Sequence, residues 1–355
     1  MIELALLAVA LVIILLGAEL FTNGIEWFGR KLNLAEGAVG SVLAAVGTAL
    51  PETMIPAVAI LMGSRAADPS SSEGVGVGAI LGAPFMLATL AMFVTGVGVI
   101  LAARRRRFGT LMPVDTRVLG LDISYFFVAY AIAVGSALVP PDLVVVRYSA
   151  VAALVVLYLH YVKRHFDADP QTHEDNDLPA LRLRRWDLPG FRADPQVPRL
   201  RVINLQVAIA LGMILVGAVV FVDNVQDLAL SMNLDPALLS LVIAPIATEL
   251  PEKFNSLIWV RQGKDTLAMG NITGAMVFQS CFPTAIAIIF AAEAWTVTGE
   301  SLIAFGSAGI AFLSTAAIVV PMVRRQMLSA HVLLVGGLFY VAYLALVVAH
   351  LAGVV

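Results

Sequence analysis

The chain has 355 residues, 60% of them hydrophobic and 13% charged, with a mean hydropathy of +0.91. Soluble domains carry roughly 45–50% apolar and about 25% charged residues, so a soluble enzyme is excluded and a polytopic membrane protein is expected. The net charge of −3 offers no basic surface for nucleic acid, and a single cysteine, Cys281, excludes a disulfide framework or a CxxC pair.

Along the chain, apolar runs between polar or Gly/Pro breaks predict ten membrane helices. They cover 2–28, 35–63, 74–101, 118–138, 145–163, 202–230, 236–261, 266–292, 300–323 and 329–352. Each provides about the 20 apolar residues that a span needs. The first run lacks a basic start and is too long for a signal peptide, so it is expected to be retained. Residues 164–200, rich in Pro, Arg, Asp and Glu, are the one compositional break. They are too short for a sizeable domain and read as a linker on the membrane surface.

The loops after odd-numbered runs hold 19 of the 22 Lys and Arg; Arg65 and Arg147 lie on the other side and Lys253 inside a run. Cytoplasmic loops are enriched in these cations. The chain is therefore expected in the plasma (inner) membrane, with both termini outside and the 164–200 linker cytoplasmic. Arg104–Arg107 reads as a topology determinant, and contact with anionic lipid headgroups is compatible with that.

The chain also repeats itself. Adding 200 pairs Gly17 with Gly217, Phe21 with Phe221, Asn33 with Asn233, Thr48 with Thr248, Pro51 with Pro251 and Glu52 with Glu252. Beyond these the offset falls to 192, pairing Gly82-Ala83 with Gly274-Ala275. Each half holds an odd number of runs, so the halves must insert with opposite orientation, a transporter design with its site near the midplane. The expected fold is an all-α polytopic membrane protein of ten transmembrane helices in two inverted five-helix repeats. Residues 1–163 form the first repeat, 164–200 the linker and 201–355 the second repeat.

The repeated motifs are Gly47-Thr48-Ala49-Leu50-Pro51-Glu52 and Ala247-Thr248-Glu249-Leu250-Pro251-Glu252. Each places a carboxylate mid-run, where insertion scales assign a charge about 2.5–3.5 kcal/mol. The proline lacks an N–H, freeing the carbonyl four residues back, at Gly47 and Ala247. Carbonyl, threonine hydroxyl and carboxylate are hard oxygen ligands that suit Na⁺ or Ca²⁺. Thr48 and Glu52 share a helix face, as do Thr248 and Glu252.

These two TxLPE motifs, each followed by a Gly-rich helix, resemble the α-repeats of the calcium/cation antiporter superfamily, especially its sodium/calcium exchanger branch. They lie within 40–90 and 240–285. Leu267-Ala268-Met269-Gly270-Asn271-Ile272-Thr273-Gly274-Ala275 resembles that branch's D-L-A-x-G-N-x-x-G-S pattern, with Thr266 at the usual Asp place and Asp265 one earlier. The resemblance implies alternating exchange of Ca²⁺ against Na⁺ or H⁺, with Glu52 and Glu252 as central metal ligands. It also implies that the first and sixth spans slide against a core of the second, third, seventh and eighth. This chain departs from the family at Ala49 and Glu249, which stand where Ser is usual, and at Ala83, Pro84, Leu87 and Ala275, where polar ligands are usual. Gln at position 279 resembles the proton-coupled branch.

The candidate cation-binding set is therefore Glu52, Glu252, Thr48, Thr248, Glu249, Asn271 and Gln279. Lys253 has two readings: an ion pair with Glu249, four residues away, or an ammonium that fills a cation site or gives up its proton when Glu252 binds a metal. Glu19, within the first run, reads as a hydrogen-bonding residue, with the lining of a proton route as its alternative; Glu26 and Asp223 read as solvated near span ends. The five histidines form no HExxH and Cys281 has no thiol partner, so both read as structural or peripheral. No cofactor is expected, only Ca²⁺ and Na⁺ or H⁺ as transported ions; the partners are inorganic cations and membrane lipids, and a monomer suffices for transport. The alternative is a monovalent Na⁺/H⁺ or K⁺/H⁺ antiporter on the same fold. An intramembrane enzyme is disfavoured by the lack of HExxH, GxGD or a Ser/His pair at membrane depth.

Overall fold

A computed structural model of the chain describes residues 2–31, 42, 45–62, 69–167, 179–184, 198–232, 250–299, 301–325 and 327–351. These residues are almost wholly helical, as apolar runs in lipid must be, because no water is there to satisfy backbone N–H and C=O groups. In chain order the helices are α1 (Ile2–Lys31), α2 (Ala45–Thr48), α3 (Leu50–Met62), α4 (Pro69–Met86), α5 (Met92–Ala102), α6 (Thr116–Ala137) and α7 (Val144–Asp167). They continue with α8 (Leu200–Met232), α9 (Leu250–Arg261), α10 (Asp265–Phe290), α11 (Leu302–Arg325), α12 (Ala330–Leu333) and α13 (Val335–Leu351). Each of the ten predicted runs contains helix; 35–41 and 236–249 lie outside the described residues. Among the described residues, seven helices are long and apolar enough to cross a membrane, and Ala5–Phe21 within α1 and Glu52–Met62 within α3 are shorter apolar segments.

The third run is not the uniform helix expected. Residues Leu87–Ala91 form a π-helical turn between α4 and α5, and Thr89 Oγ1 donates to the Phe85 carbonyl at 2.6 Å. Pro84 lies three residues before it and supplies no N–H to the ladder; such turns mark places where a helix departs from its regular hydrogen bonding.

Helix α10 is the centre of the bundle. It is almost wholly buried and packs against α2, α3, α4, α6, α7 and α9. Helices α7 and α13 lie outermost, with Val145 and Leu338 mostly exposed, as lipid-facing side chains should be. Asp115 caps α6, accepting from the backbone N–H groups of Arg117 and Val118 at 2.8 and 3.4 Å.

Helices α1 and α8 form the most extensive helix pair, and their register descends. Gly24 lies against Val207, Gly17 against Ala210 and Ile214, and Gly217 against Ala10 and Ile14, so the two run antiparallel. A Cβ at Gly17 would stand 2.9 Å from Ile214 Cγ1, and one at Gly217 would stand 2.6 Å from Ile14 Cγ1. The contacts interchange when 200 is added to one partner and subtracted from the other. Small residues at such a crossing let the backbones approach closely. A second contact follows the change of offset to 192: Gly76 packs on the Pro56 carbonyl, and Ser256 Oγ donates to the Ala268 carbonyl at 3.2 Å.

The described part of the linker is docked. The Pro179 carbonyl accepts from Asn23 Nδ2 and Trp27 Nε1 at 3.3 and 2.9 Å, and Leu183 N donates to Gln206 Oε1 at 2.9 Å. Leu181 packs with Trp27, Val202 and Ile203, so the segment bridges α1 and α8. Glu19, read as a hydrogen-bonding residue, forms an exposed pair with Arg182 of this segment at 2.6 Å.

Both ends of the bundle are pinned by buried arginines. At one end, strand β1 (Leu111–Met112) pairs antiparallel with β2 (Leu328–Ser329), beside Arg106. At the other, Arg147 donates to the Val139, Ala292 and Trp295 carbonyls and to Thr296 Oγ1, tying the α6–α7 turn to the end of α10.

Candidate cation site

The first motif loses a rung of its helix ladder where the proline chemistry requires, while Ala49 N still donates to the Ala45 carbonyl at 3.0 Å. Helix α2 ends at Thr48, Ala49 is a turn, and α3 starts at Leu50. Pro51 cannot donate to the Gly47 carbonyl. Thr53 closes the new turn, donating to the Ala49 carbonyl through N at 3.2 Å and Oγ1 at 2.9 Å. Glu52 therefore sits in the turn that follows the missing rung. Its side chain is only 3% exposed.

Helix α10 supplies the other polar groups. Asn271 and Gln279 are buried, with buried Ala275 between them. Neither the oxygen nor the nitrogen of the Gln279 amide has a hydrogen-bond partner among the described residues. A buried unpartnered amide costs about 1–3 kcal/mol, and a bound cation or its hydration water would satisfy its oxygen. Lys253, on α9, is buried as well. The motif helices α3 and α9 both pack on α10, and α2 touches α9 and α10. Ala83 and Leu87, at the ligand positions of the third run, are buried and apolar.

Thr248 and Glu249 lie outside the described residues, and of Thr48 and Glu252 only the helical backbone is described. Among the described residues no group of three His, Cys, Asp or Glu side chains is disposed to hold a metal ion. Asp265 engages Arg106 Nη2 at 2.6 Å, with both side chains nearly inaccessible. Thr266 Oγ1 accepts from Asp115 N at 2.9 Å. Arg106 is thus set apart from the other three arginines of its run by a buried partner.

One polar node has no counterpart among the sequence candidates. Asp122 on α6 is fully buried; its Oδ1 accepts from Tyr161 Oη at 2.8 Å and lies 2.9 Å from His165 Nε2, both on α7. Its Oδ2 accepts from Thr273 Oγ1 of α10 at 2.6 Å. His165, grouped with the peripheral histidines on sequence, is buried in this node. The available signal was an aspartate inside the fourth apolar run.

Comparison with known proteins gives this geometry a family. The sequence profile described as "Sodium/calcium exchanger protein" matches residues 2–163 and 204–351, leaving out the linker between them. The inner membrane protein YrbG of Escherichia coli K12 is 26% identical over 296 residues, 83% of this chain and 80% of its own. The putative antiporter CaxA of Alkalimonas amylolytica is 25% identical over 279 residues, 76% of this chain and 75% of its own. Among solved structures, the H⁺/Ca²⁺ exchanger CAX superposes with a TM-score of 0.74 at 17% identity, covering 96% of this chain and 82% of that one. The sodium-calcium exchanger NCX_Mj superposes with a TM-score of 0.59 at 16% identity, covering 97% of each. The chain belongs to the sodium/calcium exchanger family, and is a membrane antiporter, a secondary transporter rather than an enzyme.

Proposed function

We propose that this antiporter exchanges Ca²⁺ against Na⁺ or H⁺ by alternating access at a midplane site centred on Glu52 and Glu252. The observation that carries the reading is Glu52, a carboxylate buried at the point where Pro51 interrupts a membrane helix. Thr48, Thr248, Glu249, Asn271 and Gln279 complete the ligand set in this reading. Two glutamates balance one Ca²⁺ or two monovalent ions. An empty, doubly ionised site is too costly to carry through the membrane interior, so occupancy or protonation accompanies each switch. The interchange of contacts at Gly17 and Gly217, in an antiparallel pair, supports ten spans in two inverted repeats. One copy holds both halves, and the cation bias of the loops supports both termini outside with the linker in the cytoplasm.

Radiolabelled Ca²⁺ uptake into proteoliposomes, driven separately by outward Na⁺ and H⁺ gradients, tests the reading. Uptake with one gradient establishes Ca²⁺ antiport and names the counter-ion. Absence of uptake with both, from folded protein, overturns it. The buried apolar residues Ala83 and Leu87 favour the second reading, a monovalent Na⁺/H⁺ or K⁺/H⁺ antiporter, which that result would put first.

Lys253 is expected to couple protons to this cycle. The Lys253→Ala variant should lose H⁺ exchange or show a displaced pH profile of transport, measured with a pH dye trapped in the vesicles. Unchanged H⁺ exchange and an unchanged profile would leave Lys253 a structural cation.

A further inference from the structure

Resting on that site, we infer that Asp122 is a positioning residue, which holds the ligand-bearing helix α10 in register through Thr273. Asp122 is wholly buried inside the bundle, and a carboxylate there is retained at a cost that packing alone does not require. It joins three helices: α6 carries it, α7 supplies Tyr161 and His165, and α10 supplies Thr273. Thr273 lies two residues beyond Asn271, which on a helix of 3.6 residues per turn puts it on the opposite side of α10. The node thus grips α10 from behind the face that presents Asn271.

The grip is directional. Thr273 has one hydroxyl proton and two acceptors in reach, Asp122 Oδ2 at 2.6 Å and the Met269 carbonyl of its own helix at 3.0 Å. The Met269 contact is local and places nothing; the Asp122 contact crosses between helices and sets both the rotation and the height of α10. Nearby, Phe278 and Phe282 pack on Tyr158 with ring centroids 5.7 and 5.1 Å away, and Cys281 lies beside Tyr158 and Tyr161. Those apolar contacts are non-directional and set the spacing of α7 and α10, whereas a hydrogen bond depends on distance and angle together and sets the register as well. In metal sites the loss of a hydrogen bond to a ligand costs about 10–100-fold in affinity; the Asp122–Thr273 bond acts one step further back, through the position of α10.

The test compares Thr273→Val, which keeps the shape and removes the hydroxyl, with Thr273→Ser, which keeps the hydroxyl. Ca²⁺ and Na⁺ uptake are measured in proteoliposomes alongside Glu52→Gln. Labelling of the native Cys281 by a small thiol reagent reports the packing of α10 independently of which ion is carried. Thr273→Val is expected to raise KM for the carried ion about tenfold and to increase Cys281 labelling, with Thr273→Ser close to the parent in both. An unchanged KM overturns the inference, whether labelling stays as in the parent or rises, since a rise alone describes packing without positioning. Should neither ion be carried, or should Glu52→Gln retain full uptake, the proposed site fails separately, and Cys281 labelling then tests only whether the node holds α10 in register, unchanged labelling overturning that. If Thr273→Val does not fold, Thr273→Ala gives the same readouts, because it too removes the hydroxyl that reaches Asp122.

Discussion

Replacing Glu52 by Gln is expected to abolish exchange, with uptake falling at least about 100-fold, while the protein inserts and folds as before. The reason lies in the dielectric. A carboxylate 3% exposed at a helix interruption attracts a cation far more strongly than it would in water, and the isosteric amide keeps the shape but not the charge. The amide is also cheaper to hold at membrane depth, by up to the roughly 2.5–3.5 kcal/mol that insertion scales assign to a central charge. A melting temperature measured beside uptake separates lost transport from lost stability. Uptake of Ca²⁺ and of Na⁺ in matched proteoliposomes decides it: full flux of either ion in Glu52→Gln would remove the carboxylate from the mechanism.

The second large effect concerns stability. Asp265→Ala is expected to cost about 3–5 kcal/mol, because it leaves the Arg106 guanidinium buried without its counter-charge. Arg106 also donates to the Val260 carbonyl, to Gly109 O at 3.2 Å and to Leu111 O at 3.3 Å. It therefore fastens the loop after α5 and strand β1 to the end of α9 and the start of α10. The dipoles favour both placements, a cation beside the last carbonyls of α9 and an acid in the first turn of α10. Replacing both members by apolar residues, Arg106→Met with Asp265→Leu, should recover much of the loss. Denaturant or thermal unfolding in detergent, followed for the two single variants and the double, measures the coupling. If Asp265 were instead a cargo ligand, Asp265→Ala would change ion affinity at unchanged stability.

Some local structure around the candidate site was legible in the sequence. The proline argument placed a helix interruption at the first motif, and α2 and α3 part at Ala49. Burial of Glu52, Asn271 and Gln279 follows from their positions in apolar runs. The π-helical turn at Leu87–Ala91 was not legible, because Pro84 alone does not say how the ladder reforms beyond it. Nor was the separate fate of Arg106, one of four successive arginines; its partner stands 159 residues away. Asp122 and His165 went unread for the same reason, being 43 residues apart on different helices.

The sequence by itself determined the all-helical membrane class and the family. Lipid leaves the backbone one local way to satisfy its hydrogen bonds, and a repeated TxLPE in apolar surroundings is hard to mistake. Only the tertiary structure decided which charges are buried and what they hold. Whether an Asp or Arg inside such a chain is a ligand, a latch or a brace depends on the donor that another helix brings within about 3 Å. Hydropathy says that a group lies at depth; only the packing of α6, α7 and α10 says what stands opposite it.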